Sequence, residues 1–258
     1  MLTVIKKSKW AFYIMGFALI LIPGYEIAAK EPLKPVRIYI AGDSTASHYA
    51  RNLAPRTGWG QVLQEYFNDA VTVKNYAASG RSSKSYIAEL QLKRIEMEIQ
   101  PGDYLLVQFG HNDEKKDDPD RYTEPFTTFK ENLKIFIESG KKLKFHVVLV
   151  TPINRRSFDA EGKIRNTHTD YPAAMIELGK EMNIPVIDMT ALSKDLFEKA
   201  GPEEAKKYFL YGKKDELKWY PKGVADDTHF SEYGAKTLAG IIAKELGTHV
   251  PTLKEYLK

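Results

Sequence analysis

The chain of 258 residues contains no cysteine. This absence excludes disulfide bonds, thiolate metal sites, a cysteine nucleophile and a lipid-modified N-terminal cysteine. Because no covalent cross-link is available, the stability of the fold must come from its core.

A large excess of charge of one sign is also missing. The 38 Lys and Arg residues exceed the 34 Asp and Glu residues by only four. This excess is too small and too evenly spread for a nucleic-acid surface, and we expect no nucleic-acid partner. A composition of 43% hydrophobic and 28% charged residues is ordinary for a globular protein. It excludes a disordered chain, a collagen-like repeat and a multi-pass membrane protein.

The N-terminus has the order of segments found in an export signal. Lys6, Lys7 and Lys9 precede an apolar run over residues 10–22, and the small residues Ala28 and Ala29 follow a Pro-Gly break. The run of about thirteen residues is short of the roughly twenty that span a bilayer, so a permanent anchor is the alternative interpretation. We expect residues 1–29 to be a signal peptide that is cleaved near Ala29.

Cleavage would remove three lysines and one glutamate, and the formal charge would fall from +4 to +2. Residues 30–258 would then form one domain that is secreted or periplasmic, with no stable membrane insertion after cleavage. The sequence does not indicate an oligomeric state.

The remaining chain alternates between short β-branched runs and longer amphipathic segments. The predicted strands are residues 36–41, 71–75, 104–109, 146–150 and 185–188. The predicted helices are residues 60–67, 86–99, 123–139, 172–182 and 232–246. Apolar strands that alternate with helices predict an α/β fold, a flavodoxin-like three-layer α/β/α sandwich around a five-stranded parallel sheet. Residues 201–227 are rich in aromatics without a clean period and are predicted to be a long ordered loop, either a surface excursion or the wall of a cleft.

Polar residues follow three of the predicted strands. Asp43, Ser44 and Thr45 follow the first, Ser79, Gly80 and Arg81 follow the second, and His111, Asn112 and Asp113 follow the third. Ligands of open parallel sheets bind beyond the carboxyl ends of the strands, so these residues are the first candidates for a functional site.

The residue types at these positions fit acyl transfer. A serine hydroxyl needs an imidazole to take its proton, and a carboxylate must orient that imidazole. Ser44, His229 and Asp226 supply the three groups, and the three-residue spacing lets Asp226 reach the ring Nδ1 of His229 through one tight turn. The backbone N-H groups of Ser44 and Gly80 and the side-chain amide of Asn112 are candidate donors to the oxyanion. We expect Asp227 to point away from this group.

The motifs Gly42-Asp-Ser-Thr45, the isolated Gly80, Gly110-His-Asn-Asp113 and Asp226-x-x-His229 occur in this order along most of the chain. Together they resemble the SGNH (GDSL-like) hydrolase superfamily, whose four signature residues would be Ser44, Gly80, Asn112 and His229. Residues 42–45, 58–61, 78–82 and 226–230 are similar to the rhamnogalacturonan acetylesterase branch. Thr45 replaces the Leu of lipolytic members, which argues against a lipid substrate.

The resemblance implies removal of acetyl groups from a plant cell-wall polysaccharide, with rhamnogalacturonan as the first candidate, through an acetyl-serine intermediate and without a cofactor or metal. The substrate partner would be an acetylated polysaccharide or oligosaccharide. Because such a glycan carries uronate carboxylates, cations near the strand ends are candidate binding residues. Arg81 is the foremost of these by position, and the others are Lys84, Arg155, Arg156 and the lysines of residues 206–222.

Several alternatives stay open at this point. The same catalytic group would also serve acetylxylan, lipid or thioester substrates, and an inactive homologue would only bind glycans. His111 with Asp113 and the acidic pair at 117–118 is a weaker candidate for a metal site, because regular ligand spacing is missing. Trp59 is either a core residue or a platform for sugars. Gly-x-Ser-x-Gly, Gly-x-Gly-x-x-Gly, P-loop and His-Glu-x-x-His motifs are absent from the sequence.

Overall fold

A computed structural model describes residues 33–258, and the predicted signal peptide lies outside these described residues. The strands are β1 (Val36–Gly42), β2 (Val71–Asn75), β3 (Tyr104–Gln108), β4 (His146–Val150), β5 (Val186–Ile187), β6 (Phe209–Gly212) and β7 (Val224–Phe230). The helices are α1 (Trp59–Val62), α2 (Ser83–Ala88), α3 (Gln91–Glu96), α4 (Lys130–Leu143), α5 (Tyr171–Met182), α6 (Met189–Glu204) and α7 (Glu232–His249).

The first five strands form one parallel sheet in the order β2-β1-β3-β4-β5. This is the flavodoxin-like order, and the predicted three-layer α/β/α sandwich is confirmed. All five predicted strands are present, and their bounds agree closely with the prediction.

Two hydrophobic clusters cover the two faces of the sheet. Ile38, Ile40 and Leu106 point to the face that is packed by α1, α6 and α7. Their neighbours Tyr39 and Leu105 point to the other face, where α2, α3, α4 and α5 pack. Because successive residues of each strand contact opposite layers, both faces are apolar and the strands read as continuous hydrophobic runs.

The predicted helix over residues 86–99 is wrong in its extent. Ser82 caps a helix that begins at Ser83, and its side chain accepts a hydrogen bond from the N-H of Ser85. The chain then breaks at Leu90, which has a φ of 60°. A continuous helix would bury Leu90 and Met97 on one face, but they are 66% and 77% exposed. Leu92 and Ile95 of the second helix are buried in their place.

The predicted long loop over residues 201–227 is also wrong. The segment contains the end of α6, a helical turn at Ala205–Tyr208 and an antiparallel hairpin of β6 and β7. Phe209 packs on Phe197 and Phe230, so the aromatics of this hairpin extend the main core. The helix α6 is missing from the predicted elements, although Asp188 caps it by accepting a hydrogen bond from the N-H of Ala191.

No helix within residues 33–258 is long and apolar enough to cross a membrane.

Candidate active site

The turn that follows β1 carries Ser44 and is held by buried hydrogen bonds. Asp43 accepts from the N-H of Thr45 at 2.9 Å and from the side-chain amide of Gln108 at 3.1 Å. Gln108 also accepts a hydrogen bond from the indole N-H of Trp59 at 3.2 Å. Trp59 is fully buried, so it belongs to the core and is not a platform for sugars. Asp43 and Gln108 thus fix the turn to the neighbouring strand β3.

The segment that precedes α1 lies against the same turn. The N-H of Trp59 donates to the carbonyl of Thr45 at 2.9 Å. A Cβ on Gly58 would lie 2.1 Å from the carbonyl oxygen of Ser47. Only glycine allows the two backbone segments to approach this closely.

His229 joins Ser44 to Asp226. Its Nε2 lies 3.0 Å from the Oγ of Ser44, and its Nδ1 lies 2.7 Å from Oδ2 of Asp226. The other carboxylate oxygen of Asp226 accepts from the N-H groups of Thr228 and His229, both at 2.9 Å. With a proton on Nδ1, the ring donates to Asp226 and leaves Nε2 free to accept the proton of Ser44.

The pKa of Asp226 lies well below its usual range. Burial acts to raise this pKa, but the hydrogen bonds from the side chain and backbone of His229 outweigh burial and lower the value to about 2. The carboxylate is therefore ionised at neutral pH. Asp227 points away, as predicted, and pairs with Arg156 at 2.6 Å.

Gly80 and Asn112 lie in the segments that follow β2 and β3. They line the same cavity as Ser44 and His229, which has a volume of about 330 Å³. Gly80 has a φ of 80°, a left-handed conformation that favours glycine. Within residues 33–258, the backbone N-H groups of Ser44 and Gly80 donate to no protein acceptor. Both donors are free to serve a ligand, and the amide of Asn112, which donates one hydrogen to the carbonyl of Arg81, has its second hydrogen available.

The side chain of Arg81 is not among the residues that line this cavity. Its guanidinium binds Glu89 at 2.8 Å and the carbonyl of Ser79 at 2.9 Å. The predicted role of Arg81 in substrate binding remains a prediction, and the structure gives its charge another partner. Lys84, a further candidate, donates to the carbonyl of Pro119.

Asp113 and the Nδ1 of His111 are held by contacts within the protein, whereas the buried Nε2 of His111 has no hydrogen-bond partner among residues 33–258. Nδ1 of His111 lies 3.2 Å from Asp43, and burial lowers the pKa of His111 to about 4 against the opposing effect of that carboxylate. Asp113 accepts hydrogen bonds from the N-H groups of Ser83 and Gly110. No group of three His, Asp or Glu side chains within residues 33–258 is arranged to hold a metal ion.

Sequence reasoning missed two cations that line the cavity, Arg56 and Lys115. Arg56 lies in the connection between β1 and α1, well beyond the turn that carries Ser44. No local sequence pattern indicates that Arg56 lines the cavity, because the tertiary path of this connection brings Arg56 to the cavity that contains Ser44. Arg155, one of the predicted candidates, lines the cavity and pairs with Glu114.

Comparison with known proteins places this chain in a family. Residues 38–242 match the model of the GDSL-like Lipase/Acylhydrolase family. The chain is 42% identical to rhamnogalacturonan acetylesterase RhgT of Bacillus subtilis over 87% of this chain and 95% of that protein. It is 38% identical to the probable rhamnogalacturonan acetylesterase YesY of the same organism, over 81% and 93%.

Solved structures share the fold. The structure of YxiM of Bacillus subtilis matches with a TM-score of 0.68 and 28% identity, and the match covers 84% of this chain and 57% of that one. The acetylxylan esterase Axe2 of Geobacillus stearothermophilus matches with a TM-score of 0.59 and 18% identity, over 83% and 95%. The chain therefore belongs to the GDSL-like lipase/acylhydrolase family of SGNH hydrolases and is a carboxylic ester hydrolase.

Proposed function

We propose that the protein is a serine acetylesterase that removes O-acetyl groups from rhamnogalacturonan. The observation that carries the chemistry is the continuous contact from Asp226 through His229 to Ser44, at 2.7 Å and 3.0 Å. The substrate is supported by the similarity to two relatives named as rhamnogalacturonan acetylesterases.

In the first half of the reaction, the Oγ of Ser44 attacks the acetyl carbonyl carbon while its proton passes to Nε2 of His229. The ionised carboxylate of Asp226 stabilises the positive charge that forms on the imidazole ring. The tetrahedral oxyanion accepts hydrogen bonds from the N-H groups of Ser44 and Gly80 and from Nδ2 of Asn112. The bond between the acetyl carbon and the sugar oxygen then breaks, and His229 returns the proton to that oxygen.

In the second half, a water molecule attacks the acetyl-serine. His229 takes one proton from the water as the new C-O bond forms, and the same donors hold the second oxyanion. The bond to Ser44 breaks, the proton returns to Oγ, and acetate leaves. No step requires a metal or an organic cofactor.

The test is acetate release by residues 30–258 from acetylated rhamnogalacturonan, acetylated xylan and a soluble acetyl ester. We expect release from the pectic polymer by the wild type and none by a folded Ser44→Ala variant. Ser139→Ala is a matched control, because its hydroxyl binds Glu96 away from the cavity. Release from the small ester alone would reject the pectic substrate. Full activity of Ser44→Ala would reject the catalytic assignment.

The length of the acyl group separates an acetylesterase from a lipase. A pocket for acetyl groups should lose activity sharply on butyryl and longer esters, whereas a lipase-like site should not. Equal rates on acetyl and octanoyl esters would contradict the proposal.

We also propose that the protein acts outside the cytoplasm, on the basis of the basic and apolar segments in residues 1–29. Expression of the full chain in a bacterial host should give a secreted or periplasmic protein whose N-terminus lies close to Lys30. A chain that lacks residues 1–29 is the control and should stay inside the cell. Retention of the full chain in the cytoplasm or in the membrane would contradict export.

A further inference from the structure

The side chains that line the catalytic cavity carry an excess of positive charge. The lining includes the cations Arg56, Lys115 and Arg155 and no Asp or Glu side chain. Arg155 is paired with Glu114, which is not among the residues that line the cavity. Arg56 and Lys115 have no carboxylate oxygen within 4 Å among residues 33–258. In contrast, Arg155 and four further arginines in this part of the chain each form an ion pair. A cavity of this kind complements a ligand with a negative charge.

Arg56 is fixed at the wall of the cavity by several contacts. Its guanidinium stacks on the ring of Tyr49 at 4.3 Å and donates to the Tyr49 hydroxyl at 3.0 Å. Its backbone N-H donates to the carbonyl of Leu53, and the next residue, Thr57, donates to the carbonyl of Phe230 at the end of β7. The Nε-H group of Arg56 is buried and has no acceptor in the described part of the chain.

A partly buried cation that has no carboxylate partner is costly unless a negatively charged ligand pairs with it. The planar fork of a guanidinium fits the two oxygens of a carboxylate, and the Tyr49 ring holds that fork in one orientation. Arg56 is thus arranged to bind an oxyanion beside the nucleophile and takes part in no ion pair within residues 33–258.

Lys115 adds a second charge from the segment that follows β3. Partial burial, together with the nearby guanidinium groups of Arg121 and Arg155, lowers the pKa of Lys115 against the smaller opposing effect of the carboxylates of Asp118 and Glu114. A negative group in the cavity would relieve this crowding of positive charge. The two unpaired cations reach the cavity from different connections of the fold, so a ligand that meets both has a fixed position.

We propose that Arg56 and Lys115 bind the carboxylate of a uronate unit in the acetylated glycan and thereby select substrates that carry this charge. The inference rests on the proposed acetylesterase function and assigns to Arg56 the role that the sequence predicts for Arg81. Arg56 is then a specificity-determining residue, and the charge of the uronate carboxylate helps to place the acetyl group at Ser44.

The first experiment measures binding without turnover of the polymer. Deacetylated rhamnogalacturonan oligosaccharides are used as inhibitors of the hydrolysis of p-nitrophenyl acetate, and neutral xylo-oligosaccharides of similar length serve for comparison. For the wild type we expect inhibition by the uronate oligosaccharides alone. The inhibition constant should rise about tenfold or more in Arg56→Gln and less in Arg56→Lys, which retains the charge without the fork.

The second experiment compares substrates. Arg56→Gln should lose about tenfold more in kcat/KM on acetylated rhamnogalacturonan than on p-nitrophenyl acetate, and this extra loss should appear mainly in KM. Arg94→Gln is the matched control, because it removes one surface charge from α3 on another face. Lys115→Gln should weaken binding in the same direction as Arg56→Gln.

The outcomes separate the inference from the function on which it rests. A wild type that releases no acetate from rhamnogalacturonan would reject the proposed function. Acetate release together with an unchanged inhibition constant in Arg56→Gln would overturn the inference alone. An equal loss on p-nitrophenyl acetate would also overturn it, because Arg56 would then act through Tyr49 on the position of Ser44.

Discussion

The side-chain amide of Asn112 donates a hydrogen bond to the carbonyl oxygen of Arg81 at 3.0 Å, and this bond joins the segments that follow β3 and β2. The amide nitrogen carries two hydrogens. One of them is used to orient the group, and the other is available to the cavity that Asn112 shares with Ser44.

This arrangement predicts a large catalytic effect of Asn112→Ala. Loss of one oxyanion donor lowers kcat by about a hundredfold or more, while KM changes little, because the donor acts mainly on the charge of the transition state. Steady-state kinetics on a soluble acetyl ester would measure the effect. The exposed Asn52 provides a control variant, Asn52→Ala, which should retain activity. A reduction of less than about threefold in kcat for Asn112→Ala would remove this residue from the oxyanion site.

Tyr49 holds the backbone of Ser44 through a hydrogen bond. Its hydroxyl donates to the carbonyl of Ser44 at 2.6 Å, and burial raises its pKa, so it is a proton donor at neutral pH. Tyr49→Phe should lower stability by about 1 kcal/mol and reduce kcat on every acetyl ester to a similar extent. Denaturant unfolding and kinetics on two unrelated acetyl esters would test this. A loss confined to uronate-bearing substrates would contradict a role in positioning Ser44.

Asp226 predicts a specific change in acid stability. Its pKa is about 2 in the folded protein and near 3.8 in an unfolded chain. As pH falls through this interval, the unfolded chain takes up a proton before the folded one, so the stability contributed by Asp226 is lost. The difference in unfolding free energy between wild type and Asp226→Asn should have its maximum value above about pH 4 and should decrease as the pH falls towards about 2. Urea unfolding over this range would measure it, and a constant difference would contradict the assignment.

Gly58 and Gly80 should respond differently to alanine. At Gly58, the added Cβ would collide with the carbonyl of Ser47, and we expect a loss of about 3 kcal/mol or a failure to fold. Around Gly80 there is open space, so the left-handed φ alone should cost about 1 kcal/mol, and the backbone N-H would remain in place. Thermal or chemical unfolding of both variants would compare them. An equal loss of unfolding free energy in the two variants would show that the close backbone approach at Gly58 does not require glycine.

The main sheet is predictable from the sequence because its strands are buried on both faces. Continuous apolar runs such as those of β3 and β4 are typical of parallel strands that helices cover on both sides. Ser44, Gly80 and Asn112 can be grouped from the sequence because the ends of parallel strands meet at one edge. Asp226 and His229 can be paired with each other by their spacing, and the structure brings this pair to within hydrogen-bond distance of Ser44.

Other features depend on contacts that a local pattern does not record. The strand β7 is largely polar and only half-buried, since it presents the side chains of Asp226 and His229 near the cavity, so it lacks the alternation of an ordinary strand. The break at Leu90 interrupts a helical spacing that is continuous in the sequence. Arg56 is brought to the cavity only by the tertiary path of its connection, whereas Arg81, beside a motif glycine, is turned towards Glu89.

The proposed catalytic groups are divided between two sheets. Ser44 and the proposed oxyanion donors follow strands of the five-stranded sheet, whereas Asp226 and His229 belong to the β6–β7 hairpin. The loop of this hairpin is tied to the connection after β1 by the hydrogen bond from the hydroxyl of Tyr220 to the carbonyl of Leu53. Local opening of this hairpin would withdraw the proton acceptor from the nucleophile while the large sheet stayed folded. We therefore expect inactivation to precede the loss of helical signal in circular dichroism, and amide exchange to be faster in the hairpin than in the central strands.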